Sequence, residues 1–159
     1  MSRPPELDLA SVFSLLGTAV DDTVLQALAG TGLRRGHGYL VQRLLAGPAT
    51  ATEIAVELGV SQQAVSKALG ELAALGYVGP AGDADDRRRR PVALTQAGRR
   101  VVRVARETRA DVDARVRAAV GDERFEACRD VLLDALDVLG LGEQVRRRAV
   151  RPPDGALSG

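Results

Sequence analysis

Leu9, Val12, Phe13, Leu16, Val20, Val24 and Leu28 fall at steps of three and four, the spacing that aligns apolar groups along one side of an α-helix. The pattern predicts a long amphipathic helix that stops near Gly30-Thr31-Gly32. A short second helix is expected over roughly Gly38 to Ala46, with Tyr39, Leu40, Leu44 and Leu45 as its apolar side and Gly47-Pro48 as its stop. Thr50 and Glu53 have the spacing of a capping box, which opens a third helix with Ile54, Ala55 and Leu58 inward and Gly59 at its turn. Ser61 suits the N-cap of a fourth, in which Val65, Leu69, Leu72 and Leu75 face inward while Gln62, Gln63, Ser66 and Lys67 stay outward. Gly70 inside this helix costs about 1 kcal/mol against alanine, so a close packing contact is expected there.

Beyond Gly76 the period changes. Tyr77-Val78 and Val92-Ala93-Leu94 read as two short strands around a polar, charged loop, a hairpin or wing. After Thr95 a long helix carries Val101, Val104, Ala105, Thr108, Val112 and Val116 on one side, and a last helix after Gly121-Asp122 carries Phe125, Cys128, Leu132, Leu136 and Leu139. The expected class is mainly α with a small β-hairpin wing: a winged helix-turn-helix core over 33–95, flanked by helices over 8–30 and 96–145, in one domain of 159 residues. The basic, then Pro- and Gly-rich tail over 146–159 is expected to be disordered.

Composition narrows the function. Hydrophobic residues at 45% and charged ones at 27% are ordinary for a globular protein, and no apolar run is long enough to span a membrane. The first ten residues lack an apolar signal core and the single cysteine excludes an internal disulfide, so a cytoplasmic protein is expected. The net charge of +1 hides a strong asymmetry. Between Arg87 and Arg117 eleven arginines stand against Glu107, Asp111 and Asp113, whereas 122–143 is acidic. The single lysine, Lys67, sits on the second helix of the central pair. No Ser/His/Asp set, phosphate loop or metal-ligand cluster is present, so neither an enzyme nor a cofactor is expected.

A helix pair joined by a glycine turn can be simple packing. Here, however, the second helix opens on small and amide side chains, and glutamine can pair with an adenine edge in the major groove. An arginine-loaded ribbon follows one turn later, and the combination suits double-stranded DNA. Arg87, Arg88, Arg89 and Arg90 are either a solvated loop or a group reaching phosphates or a minor groove; Asp86 is expected to pair with one of them. His37 alone is a poor metal ligand and reads as a cap or as a polar group lining a cleft between helices.

The stretch ATEIAVELGVSQQAVSKALGELAALGYV, followed by DADDRRRRPVALTQAGRR, resembles the winged helix-turn-helix core of the MarR family of bacterial transcriptional regulators. The helical order around it extends the likeness over about 8–145. Asp85 stands where members of the family usually have an arginine. The resemblance implies a homodimer with intertwined terminal helices and two recognition helices in successive major grooves, about 34 Å apart on a palindrome-like operator. It further implies that Gln62, Gln63 and Ser66 read bases, that Ser61 and Lys67 hold phosphates, and that Arg87 to Arg90 grip the backbone or minor groove, most simply as a repressor. Ligands of the family enter a cleft between the dimer helices and the core, which Phe13, His37 and Tyr39 are placed to line for a small-molecule effector. Cys128 is expected to pack as a small hydrophobe, since the sensing cysteine of redox-active members lies in the first helix, where this chain has none. Two other readings stay open: a ligand-binding or redox scaffold with lost or weak DNA binding, and a protein-interaction module using the terminal helices.

Overall fold

A computed structural model describes residues 7–81 and 91–157. Helix α1 spans Leu9–Ala27, α2 His37–Leu44, α3 Ala51–Leu58 and α4 Gln62–Ala74. Strands β1 (Val78–Pro80) and β2 (Val92–Leu94) follow, then α5 (Gln96–Val120), α6 (Asp122–Val138) and α7 (Gly142–Arg146). The mainly α architecture with a two-stranded hairpin is the one the pattern predicts; α7 is additional.

The core sits where α2, α3, α4 and the hairpin meet. Leu40, Ile54, Leu58, Val65 and Leu72 are wholly buried and make one cluster with Val78 and Leu94 of the strands. The strands run antiparallel with Val78 opposite Leu94 and Pro80 opposite Val92. Pro80 is tolerated because β1 is an edge strand; the other side of β2 is taken by Ala49, which exchanges two backbone hydrogen bonds with Val92. An ion pair between Arg43 and Glu57 ties α2 to α3 (Nη2 to Oε1, 3.0 Å). At the α5–α6 corner the Arg117 guanidinium lies 4.2 Å over the Phe125 ring and pairs with Asp122 and Glu126.

Three expectations are corrected. Gly70 has no packing reason: it is exposed, and a Cβ there would meet nothing within 4 Å. Gly70→Ala is therefore expected to stabilise the chain by about 1 kcal/mol, raising the thermal midpoint by roughly 2–4 °C in a melting experiment. Cys128 is exposed, not packed, because α6 buries none of its residues within the chain. The tail is not a loose end through Leu157. Ala149 and Leu157 belong to the buried cluster and Pro152 is buried beside them, so three apolar anchors offset the chain entropy that the Pro- and Gly-rich composition suggested would win.

Candidate nucleic-acid interface

The helix-turn-helix is built from caps. Thr50 Oγ1 accepts from the Glu53 N–H at 3.2 Å while the Glu53 carboxylate accepts from the Thr50 N–H at 2.8 Å, so the capping box of α3 is complete. Gly59 ends α3 in the left-handed region (φ 65°, ψ 37°), a conformation that costs a residue with a Cβ about 1 kcal/mol or more. Ser61 Oγ then accepts from the Ala64 N–H at 3.2 Å and opens α4. With Val65, Ala68, Leu69 and Leu72 turned into the core, the 3.6-residue period leaves Ser61, Gln62, Gln63, Ser66 and Lys67 together on the exposed side. No described carboxylate pairs with Lys67.

α4 closes on Gly76 (φ 77°), and the Tyr77 N–H reaches back to the Leu72 carbonyl at 2.9 Å, which turns the chain straight into β1. Tyr77 also anchors the base of the wing, its hydroxyl donating to the Thr31 carbonyl at 2.9 Å. Thr95 caps α5 through the Gly98 N–H and donates to the Gly76 carbonyl at 2.7 Å. A Cβ on Gly98 would land on the Tyr77 carbonyl oxygen, so the first turn of α5 lies directly on the wing's base. The Ala81 N–H to Pro91 carbonyl bond carries the ladder to its last described pair. Arg87, Arg88, Arg89 and Arg90, with Asp86, lie outside the described residues.

Behind α4 a buried polar link joins it to α2. The Arg34 N–H donates to His37 Nδ1 at 3.2 Å, which leaves the proton on Nε2, 2.9 Å from Glu71 Oε2. His37 is 3% exposed, and Arg34 pairs with the same carboxylate. Those bonds, from His37 first and Arg34 second, hold the Glu71 carboxyl below its ordinary value. Nothing in the residue pattern marked Glu71, since its partners lie more than thirty positions away.

His37 also borders a cavity of about 450 Å³ between α1, α2, α5 and the end of α7. Tyr39 lines it with His37; Phe13 does not. Burial raises the Tyr39 phenol above its usual range and Asp21 adds to this, so the hydroxyl stays protonated at neutral pH. Its walls include Val and Leu side chains, among them Val24, Leu28 and Val102. Arg109 and Arg148, missed by sequence reasoning because they lie outside the central motif, border it as well; Arg148 donates to Gln42 at 3.3 Å and Arg109 to a carbonyl of its own helix. Among the described residues no group of three or more His, Cys, Asp or Glu is set to hold a metal ion, and no described helix is long and apolar enough to cross a membrane.

Residues 31–89 match the sequence model of the MarR family. A comparison with curated proteins gives no match. Among solved structures, the transcriptional regulator Tm0710 from Thermotoga maritima is similar, with 23% identity, 81% of this chain and 92% of that chain covered, and a TM-score of 0.63. The S. aureus MepR–DNA complex aligns at 21% identity over 82% and 98%, with a TM-score of 0.65, and MepR is also described bound to ethidium bromide. The YusO protein from Bacillus subtilis aligns at 18% identity over 82% and 93%, with a TM-score of 0.67. Residues 31–89 are thus similar in sequence to the MarR family, in a chain that shares its fold with the transcriptional regulator Tm0710 and with MepR and YusO.

Proposed function

We propose that this chain is a DNA-binding transcriptional regulator, a repressor acting in the cytoplasm, that binds a palindrome-like operator as a homodimer. The observation that carries the reading is the exposed, capped first half of α4. Ser61, Gln62, Gln63, Ser66 and Lys67 share one uncovered side, an arrangement that fits a major groove. Gln62, Gln63 and Ser66 read base edges, Ser61 and Lys67 hold phosphates, and Arg87 to Arg90 of the wing grip the backbone or minor groove. MepR, of similar fold, is described in complex with DNA, which supports the same use of the fold here.

A salt-dependent gel shift on duplexes selected from random or genomic DNA tests this. Gln63→Ala is expected to relax preference at one base pair by about 1–3 kcal/mol while leaving binding to random duplex alone. Arg88→Ala is expected to weaken all sequences alike and to reduce the salt slope by about 0.9. Retention of both wild-type preference and wild-type slope in the two variants would remove these roles.

The dimer is supported by the apolar groups this chain leaves in solvent on α1, on α6 and at the end of α6, including Leu9, Leu16, Leu132 and Leu139. The cavity supports an effector site with His37 and Tyr39 in its wall; through Glu71 an occupant that engages His37 changes the support of α4.

A further inference from the structure

Just past the end of α7, Arg148 has a φ of 55°, and the chain continues along the winged-helix core as a strap over 149–157. Ala149, Pro152 and Leu157 are buried, and the Arg151 N–H donates to Gln144 Oε1 at 3.2 Å. The far end is held by shape, since a Cβ on Gly36 would land on the Ala156 carbonyl oxygen. Pro152 to Leu157 form one wall of a hollow of about 200 Å³ whose other wall is Gly59, Val60, Ser61 and Ala64. The strap therefore lies on the flank of the turn into α4. Gln62, Gln63, Ser66 and Lys67 do not border that hollow, so their outward side stays uncovered.

Arg151 projects between the two anchors. Its side chain is 64% exposed, and its Cδ and Nε stand 3.7 and 3.9 Å from where a Cβ on Gly59 would be. Asp154, its carboxylate neighbour, is 3.7 Å away and 99% exposed, a loose pair that water screens. The neighbouring arginines are otherwise engaged: Arg146 and Arg147 pair with Glu143, and Arg148 with Gln42.

We propose that Arg151 is a DNA-backbone contact: the anchored strap holds its guanidinium beside the turn into α4, where it meets a phosphate flanking the bases that Gln62 and Gln63 face. A guanidinium forms paired hydrogen bonds with phosphate, and a segment pinned at both ends loses little further freedom on binding. The inference rests on the DNA-binding reading above. Its distinctive content is that an element C-terminal to the dimerisation helices belongs to the interface.

Three variants test it: Arg151→Gln, Arg151→Lys and Gly36→Ala. Gly36 has helical backbone angles (φ −60°, ψ −32°) that alanine also adopts, so the added methyl presses on the strap and leaves α2 unstrained. The probes are a random duplex pool of about 30 base pairs, long enough for two half-sites, and the tightest duplex selected from it with the wild-type chain. Arg151→Gln is expected to weaken both probes by a similar factor, about three- to tenfold, and to make the salt slope shallower by about 0.9. Arg151→Lys should restore most of that slope, because it keeps the charge. Gly36→Ala, with Arg151 intact, should lose as much as Arg151→Gln, because the strap is displaced. Wild-type affinity and slope in Arg151→Gln would overturn the contact, and this exposed substitution does not threaten the fold. Tighter binding by Gly36→Ala would overturn it in favour of a strap that masks the interface. A wild-type chain that binds neither probe would overturn this proposal together with the DNA-binding reading, which separates the two failures.

Discussion

Gly98→Ala is expected to destabilise the chain by about 2–3 kcal/mol, lowering the thermal midpoint by roughly 4–12 °C. The added methyl would land on the Tyr77 carbonyl oxygen, and the Tyr77 carbonyl carbon and Leu94 Cδ2 would stand only 3.1 and 3.2 Å from it. Two of the three obstacles are backbone atoms, so no rotamer change relieves the contact. Either the first turn of α5 lifts from the wing's base or the base moves. Both routes strain the bonds that Thr95 makes to Gly76 and Gly98, as well as the Thr95 N–H to Tyr77 carbonyl bond at 3.0 Å. Gly70→Ala is the natural control: the same chemical change, in a helix with open space around it, is expected to have the opposite sign. Equal midpoints for the Gly98 variant and the wild type would show that α5 does not rest on Tyr77 as described.

The second large effect concerns assembly. Leu132 of α6 and Leu139, the residue that caps its end, lie seven residues apart and are 40% and 66% exposed in the single chain. Replacing both with aspartate should leave the core of Leu40, Ile54, Leu58 and Leu72 undisturbed, since neither side chain reaches it. The double variant is expected to keep its helical signal yet to run as a monomer in light scattering, and the wild type is expected to run as a dimer. Its affinity for a two-half-site duplex should fall by about a hundredfold or more, because the second half-site is no longer delivered at high effective concentration. A wild-type monomer, or a double variant that remains dimeric, would remove α6 from the proposed interface.

Much of the fold was legible because the signals were local. The Thr50-x-x-Glu53 box, Ser61 at an N-cap, Gly59 at a left-handed turn and the apolar steps of α1, α3, α4 and α5 concern residues within one or two turns of each other. The exposed set Ser61, Gln62, Gln63, Ser66 and Lys67 followed from the same period, since placing Val65, Leu69 and Leu72 inward leaves them outward; Leu75, expected inward with them, is exposed at the end of the helix. Cys128 went the other way. Its helical spacing described a stripe correctly, but spacing cannot say whether a stripe faces its own subunit or lies open, and within this chain it lies open.

Local patterning, then, was enough to define α1 to α6, the turn between α3 and α4, the hairpin and the exposed side of α4. What required the folded chain were the contacts made across long stretches of sequence: Glu71 under His37, Gly98 against Tyr77, Ala156 against Gly36, and the cavity closed from behind by Arg148. The physical reason is common to all four. A helix or turn is stabilised by neighbours along the chain, whose identities can be read in order, whereas a close approach between distant segments depends on how whole elements stack. A tail of Pro, Gly and Arg likewise shows its three small anchors only once there is a core surface to receive them.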